Sequence, residues 1–239
     1  MMVQPALLDT TRDIDADLCR NIVSLRQTAD LFDDLSDGDP QLSRTAAAAE
    51  MRVKATLPGG AIARGFLYST AIEYPFASEP YLRSRYGDGS YGVWYGAIDM
   101  DTSIYETAYH MIQDELRIAG LDEDIVRERA VYDVRCRAAL IDVSKKRDSH
   151  PDLVAEDYTF TQSLGRRLVN EGHPGLLTPS ARRDSTTAAI FNSKVLSNPR
   201  VWCYLTYRFS PRYRTVHIER TPGTPYLALR YRDGRLSRV

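Results

Sequence analysis

Apolar side chains between Asp13 and Leu35 fall at Ile14, Leu18, Ile22, Leu25, Ala29 and Phe32, at spacings of four, four, three, four and three. That period predicts an amphipathic helix, and the turn-rich run DLSDGDP ends it. A second short helix is expected over Ser43–Ala55, where TAAAAEMR is rich in strong helix formers and LPGG follows as a stop. Together these segments predict an N-terminal helical appendage over residues 1–57, ahead of a main domain over 58–239.

Beyond residue 60 the texture changes to short β-prone runs separated by Pro and Gly. Tyr91–Ile98 reads as a strand, with Tyr91, Val93 and Tyr95 on one face and Trp94 on the other. A helix is expected from about Ile104 to Ala119, with N-cap oxygens from Asp101, Thr102 and Ser103 and Gly120 as its stop. Ala130–Cys136 and Leu140–Val143 read as strands, Tyr158–Asn170 as a helix with Leu164, Leu168 and Val169 inward. Further strands are expected over Ala188–Phe191, Trp202–Phe209, Thr215–Glu219 and Tyr226–Arg232. Strands outnumber long helices without strict alternation, which argues an α+β fold.

Lys plus Arg number 31 against 32 for Asp plus Glu, a net charge of -1. That balance carries no footprint for direct nucleic-acid or membrane binding. Most of the basic residues are Arg, several beside aromatics, as in Arg85-Tyr86 and Tyr207-Arg208, so a local anion site remains open. Cys19, Cys136 and Cys203 are too far apart in sequence for a disulfide framework or a zinc site and suit a reducing cytoplasm. The start of the chain lacks the pattern of a signal peptide, and no stretch has the length of a membrane span. The four histidines, 110, 150, 173 and 217, show no metal-ligand spacing, and no metal is expected.

Candidate chemistry is densest in RSRYGDGSYGVWYGAIDMDTSIYETAYH, from Arg83 to His110. Arg85 precedes a loop with three glycines, where backbone can approach a ligand while the guanidinium grips phosphate or ribose oxygens; the same pattern suits a glycine-rich hairpin with a surface Arg. Tyr95 could stack on a planar heterocycle or be ordinary core. Glu106 is expected in the first turn of its helix, where the dipole favours a carboxylate, with Tyr109 and His110 on the same face. A first-turn Glu is also a common helix-stabilising choice. Ser180, after a short apolar run and a proline, could hydrogen-bond a ribose or carboxamide, or be a turn serine; no G-x-S-x-G surrounds it.

Taken together, SRYGDGSYGVWYGAIDMDTSIYETAYH and, some seventy residues later, HPGLLTPSARR and TTAAIF resemble the RES-domain family, from about Leu67 to Phe191. The resemblance matches Arg85, Tyr95, Glu106 in ETAYH and Ser180 in TPSAR to the family's arginine, tyrosine, glutamate and serine. Many members carry an early Tyr-Arg pair where this chain has Tyr68-Ser69, leaving Arg64 or Arg83 as candidates for that phosphate-binding role. The resemblance implies a compact fold similar to the ADP-ribosyltransferase toxins, with the RES domain over 58–239. It also implies an NAD-consuming toxin paired with an Xre-like helix-turn-helix antitoxin. NAD would be the substrate of a glycohydrolase or phosphorylase. The same residues would serve a protein ADP-ribosyltransferase, and a non-catalytic binding module is a further alternative. A homo-oligomer is possible on sequence grounds.

Overall fold

The computed structural model describes residues 7–24, 69–77, 81–118, 122–221 and 223–239. The expected helix over Ser43–Ala55 and Arg64 lie outside them, as does Gly120. Among the described residues nine strands form one sheet: β1 (Thr11–Val23), β2 (Trp94–Ala97), β3 (Ile125–Asp142), β4 (Gly175–Pro179), β5 (Thr186–Ile190), β6 (Leu196–Ser210), β7 (Thr215–Thr221), β8 (Thr224–Arg232) and β9 (Arg235–Arg238). Two α-helices accompany them, α1 (Met100–Glu115) and α2 (Thr159–Asn170). The fold is α+β, a large sheet with few helices.

The order is β1-β2-β5-β4-β3-β6-β7-β8-β9, and β1 also pairs with β3. The first five strands in that order therefore close into a ring, and β6 to β9 extend from it as an antiparallel meander. Only β3 and β4 run parallel. The ring gathers the ends of β2, β4 and β5 around one spot, and the site is built there.

The first correction concerns the N-terminal segment. Where a helix was expected from Asp13, residues Thr11–Val23 form β1, paired with β3 from Thr11 opposite Ile141 to Val23 opposite Arg129. Asp13, Asp15 and Asp17 alternate with Ile14, Ala16 and Leu18, a period of two that puts the acids on one face. The rest of the expected helix, from residue 25, lies outside the described residues. The two strands expected over Ala130–Cys136 and Leu140–Val143 are one continuous strand, β3.

Helix α1 begins earlier than expected, because its N-cap is Asp99. Asp99 Oδ1 accepts from the Thr102 amide at 2.7 Å, and Oδ2 accepts from the hydroxyls of Thr102 at 2.7 Å and Ser185 at 3.0 Å. Ile104, Ala108 and Ile112 face inward against Leu205, Tyr207 and Phe209 of β6 and Val216 and Ile218 of β7. Trp94 lies on the opposite face of β2, packed against Leu18, Ala71 and Ile72, and donates its indole N–H to Ala71 O at 2.8 Å. In the third cluster Leu164 and Leu168 of α2 cover Tyr86 and Leu176, with Val93 and Tyr95 at its border.

Gly165 lets α2 press against the loop that carries Arg85 and Tyr86, since a Cβ there would stand 2.1 Å from the Tyr86 carbonyl oxygen. Gly165→Ala gains about 1 kcal/mol of helix propensity and loses about 1–3 kcal/mol to overpacking. We expect a net lowering of stability, read as a lower urea midpoint with unchanged slope; a raised midpoint would mean that the helix and loop move apart at no cost.

Candidate active site

A cavity of about 590 Å³ opens between α1, the Arg83–Tyr86 loop and the ends of β2 and β4. Arg85, Tyr95 and Glu106 all line it, together with Arg83, Tyr109, His110, Glu156 and Tyr158. Ser180 is fully buried at its edge and reaches the cavity through Glu106. The structure therefore brings the four sequence-expected residues to one place.

Glu106 sits in the second turn of α1, one turn later than expected, so the helix dipole does little to place it. Hydrogen bonds do so instead. Its Oε1 accepts from Ser180 Oγ at 2.6 Å and from the Ala181 amide at 3.1 Å. Among the described residues, Oε2 accepts no hydrogen bond. Two donors fix the plane of a half-buried carboxylate and leave one oxygen for a ligand. Ser180 is itself held, because its Oγ accepts from the Arg182 amide at 3.2 Å and its amide donates to Ser185 O at 2.9 Å. Arg147 closes the turn by donating to the carbonyl oxygens of Ser180 and Arg183.

The Tyr95 ring forms a wall of the cavity, anchored at its hydroxyl. That oxygen accepts from the Tyr86 amide at 2.9 Å and shares a hydrogen bond with Ser84 Oγ at 2.8 Å. Burial pushes the phenol up to about 12, against the pull of those two bonds, so it stays neutral. Arg20 supports it from β1, donating to Tyr95 O at 3.1 Å while lying over the Trp94 ring.

Arg85 donates to Ala155 O at 2.6 Å and Leu153 O at 3.3 Å, and its guanidinium lies 4.6 Å from the Tyr158 ring centroid. It thereby straps the 153–158 segment over the cavity. Arg83 is exposed on the rim and reaches Gln162 at 3.5 Å. The cavity thus has two arginines on its Tyr95 side.

Further contributors lie around the four candidates, among them the Tyr109 and His110 expected on the face of Glu106. Arg182 lies over the Tyr109 ring at 3.3 Å and pairs with Glu156 at 2.6 Å, its side chain only 5% exposed. That pairing, with burial opposing, holds the Glu156 carboxyl below its ordinary range. His110, on the exposed side of the cleft, is pulled below its ordinary range by the crowding that takes water from its ring, while the Glu106 carboxylate works the other way. Glu156 and Tyr158 sit in an irregular loop with no motif around them, and only the fold shows that Arg85 and Arg182 hold that loop. Among the described residues no group of three or more His, Cys, Asp and Glu could hold a metal ion.

Compared with known protein families, residues 62–210 match the RES domain, more than half of the chain. The chain belongs to the RES-domain family. Among curated proteins, none matches this sequence. Among solved structures, the M. tuberculosis MbcT–MbcA toxin–antitoxin complex has a chain similar to this one at a TM-score of 0.44 and 9% identity, covering 87% of this chain and 94% of that one. The family match brackets Arg85, Tyr95, Glu106 and Ser180, and β7, β8 and β9 lie beyond it. No helix among the described residues is long and apolar enough to cross a membrane.

Cys19 lines the cavity, yet burial pushes its thiol up to about 12 and that of Cys136 to about 11, while Cys203 is also raised by burial. A higher pKa keeps each thiol protonated as the pH rises through its ordinary range, and at pH 8 Cys19 has roughly a thousandfold less thiolate than a free cysteine. Iodoacetamide at pH 8 should leave all three cysteines unmodified by mass spectrometry in the native protein and label all three after denaturation. Rapid native labelling of Cys19 would contradict this.

Proposed function

We propose that this chain is an NAD-consuming enzyme that cleaves the nicotinamide–ribose bond, a glycohydrolase or phosphorylase. It would be the toxin of a type II toxin–antitoxin pair, held in check in the cytoplasm by an Xre-like helix-turn-helix antitoxin. Membership of the RES-domain family supports this reading. The observation that carries it is the Glu106 carboxylate, oriented by Ser180 and the Ala181 amide inside a cavity walled by Tyr95. At about 590 Å³ the cavity lies within the size range of small-molecule sites.

Breaking the bond between ribose C1′ and the nicotinamide ring nitrogen sends the electron pair out with nicotinamide and leaves positive charge on the sugar. A fixed carboxylate stabilises charge that exists mainly in the transition state, which is where stabilisation raises the rate. An oxygen of water then bonds to C1′ and releases its proton to solvent, or an anionic oxygen of phosphate bonds there with no proton to lose. In this reading the Tyr95 ring stacks on nicotinamide, Glu106 Oε2 faces the ribose, and Arg85 or Arg83 meets phosphate. Ser180 acts on Glu106, since its hydroxyl is already committed there, where the sequence suggested a direct contact with ribose or carboxamide.

Glu106→Gln should reduce nicotinamide release by about a hundredfold or more, with the melting temperature close to wild type. Near-normal release by the folded variant would refute the assignment. Incubation with labelled NAD separates the possible acceptors. Free ADP-ribose or its 1-phosphate supports hydrolysis or phosphorolysis, label retained on a protein supports transfer, and no loss of NAD points to a binding module.

A further inference from the structure

The cavity does not end at Glu106. It continues along α1 past His110 to Gln113 and Asp114, and then to Arg117 just beyond the helix. These positions follow the spacing of one helical face. The opposite face, with Ile104, Ala108 and Ile112, is fully buried against the sheet. This polar stripe walls the open side of the cleft, with His110, Asp114 and Arg117 exposed and Gln113 half-buried. From Glu106 to Asp114 that wall is about 12 Å long at the rise of an α-helix. Cleavage of a glycosidic bond needs only the sugar and leaving group near Glu106, so the remainder fits a substrate that continues well past the ribose.

The groups along this wall are specific. Gln113 donates its Nε2 hydrogen to Tyr231 Oη at 2.7 Å, which fixes the carboxamide and leaves Oε1, with no hydrogen bond among the described residues, as an acceptor. A fixed acceptor selects a donor, such as an exocyclic amine or a ribose hydroxyl. Among the described residues the Arg117 guanidinium pairs with Asp114 at 3.4 Å, both highly exposed, so it is held weakly and can lie flat on a ring. His110 stands between these groups and Glu106, one helical turn from the carboxylate.

We propose that the wall from His110 to Arg117 is the subsite for the adenylate half of the dinucleotide. Gln113 Oε1 accepts from the adenosine, Arg117 covers the base at the rim, and the pyrophosphate passes His110. The proposal rests on the reading of Glu106 as the residue facing the nicotinamide ribose, and it makes the enzyme selective for a dinucleotide over a mononucleotide.

Titration calorimetry on the full chain with ADP-ribose and with nicotinamide mononucleotide tests this without requiring turnover. Arg117→Ala, at an exposed position, and Gln113→Ala should each weaken ADP-ribose about tenfold and shift nicotinamide mononucleotide less than twofold. Gln113→Glu, which keeps an acceptor in place, should retain more ADP-ribose affinity than Gln113→Ala. Equal weakening of both ligands, or no change with either in the folded Arg117 variant, overturns the subsite. Wild-type protein that binds ADP-ribose in this pattern but releases no nicotinamide from NAD supports the subsite and refutes the cleavage reading, so the two failures are separable.

Discussion

The site depends on one contact, the grip of the turn after β4 on the middle of α1. A half-buried carboxylate is costly unless donors replace the water it has lost. Glu106 finds those donors in Ser180 and Ala181, on a turn that comes from a different part of the chain. Five residues on, Ser185 donates to Asp99, the cap of the same helix. The turn therefore holds α1 at its start and in its second turn, which fixes both the position of the helix along its axis and its rotation. Arg147, donating to two carbonyl oxygens of the turn, keeps that clamp from opening.

From this constraint the architecture of the cleft follows. With α1 pinned, its apolar face meets β6 and β7, and its polar face is turned toward the ring of strands. Tyr95 is carried to the opposite wall by β2, where the alternation of a strand turns Trp94 to one core and Tyr95 to the other. The close approach of α2 at Gly165 then sets the Arg83–Tyr86 loop above both.

What could be read in the sequence is what local chemistry fixes. The strand that carries Tyr95 beside Trp94 and the helix that carries Glu106 both follow from short-range pattern, and both are present, whereas β4 ahead of Ser180 shows in sequence only as a short apolar run before a proline. Strand β1 was misread for a physical reason. Ile14, Leu18 and Ile22 are four residues apart, a spacing shared by a helical stripe and by every second residue pair of a strand. The aspartates at 13, 15 and 17 were the discriminating signal, because three acids alternating with apolar residues fit a strand with one face toward solvent. The start of α1 was misplaced because Asp99, Asp101, Thr102 and Ser103 all offer capping oxygens, and only the tertiary link to Ser185 shows which one caps. Glu156 and Tyr158 were invisible in sequence, since their place at the cavity comes wholly from long-range contacts with Arg182 and Arg85.

The preference for Arg over Lys also acquires a meaning. Arg20, Arg85, Arg129 and Arg182 each lie over an aromatic ring, a use that a compact ammonium serves less well. They are not equally available to a ligand. Arg182 is held by a carboxylate, whose opposite charge an incoming anion would have to displace. Arg85 is held by two backbone carbonyls and a ring. An incoming phosphate would replace neutral acceptors at Arg85 but would have to displace an anion at Arg182. Of the two, Arg85 is therefore the one whose present contacts an anion could more readily replace, while Arg182 is the strut that keeps Tyr109 and the 153–158 segment in place.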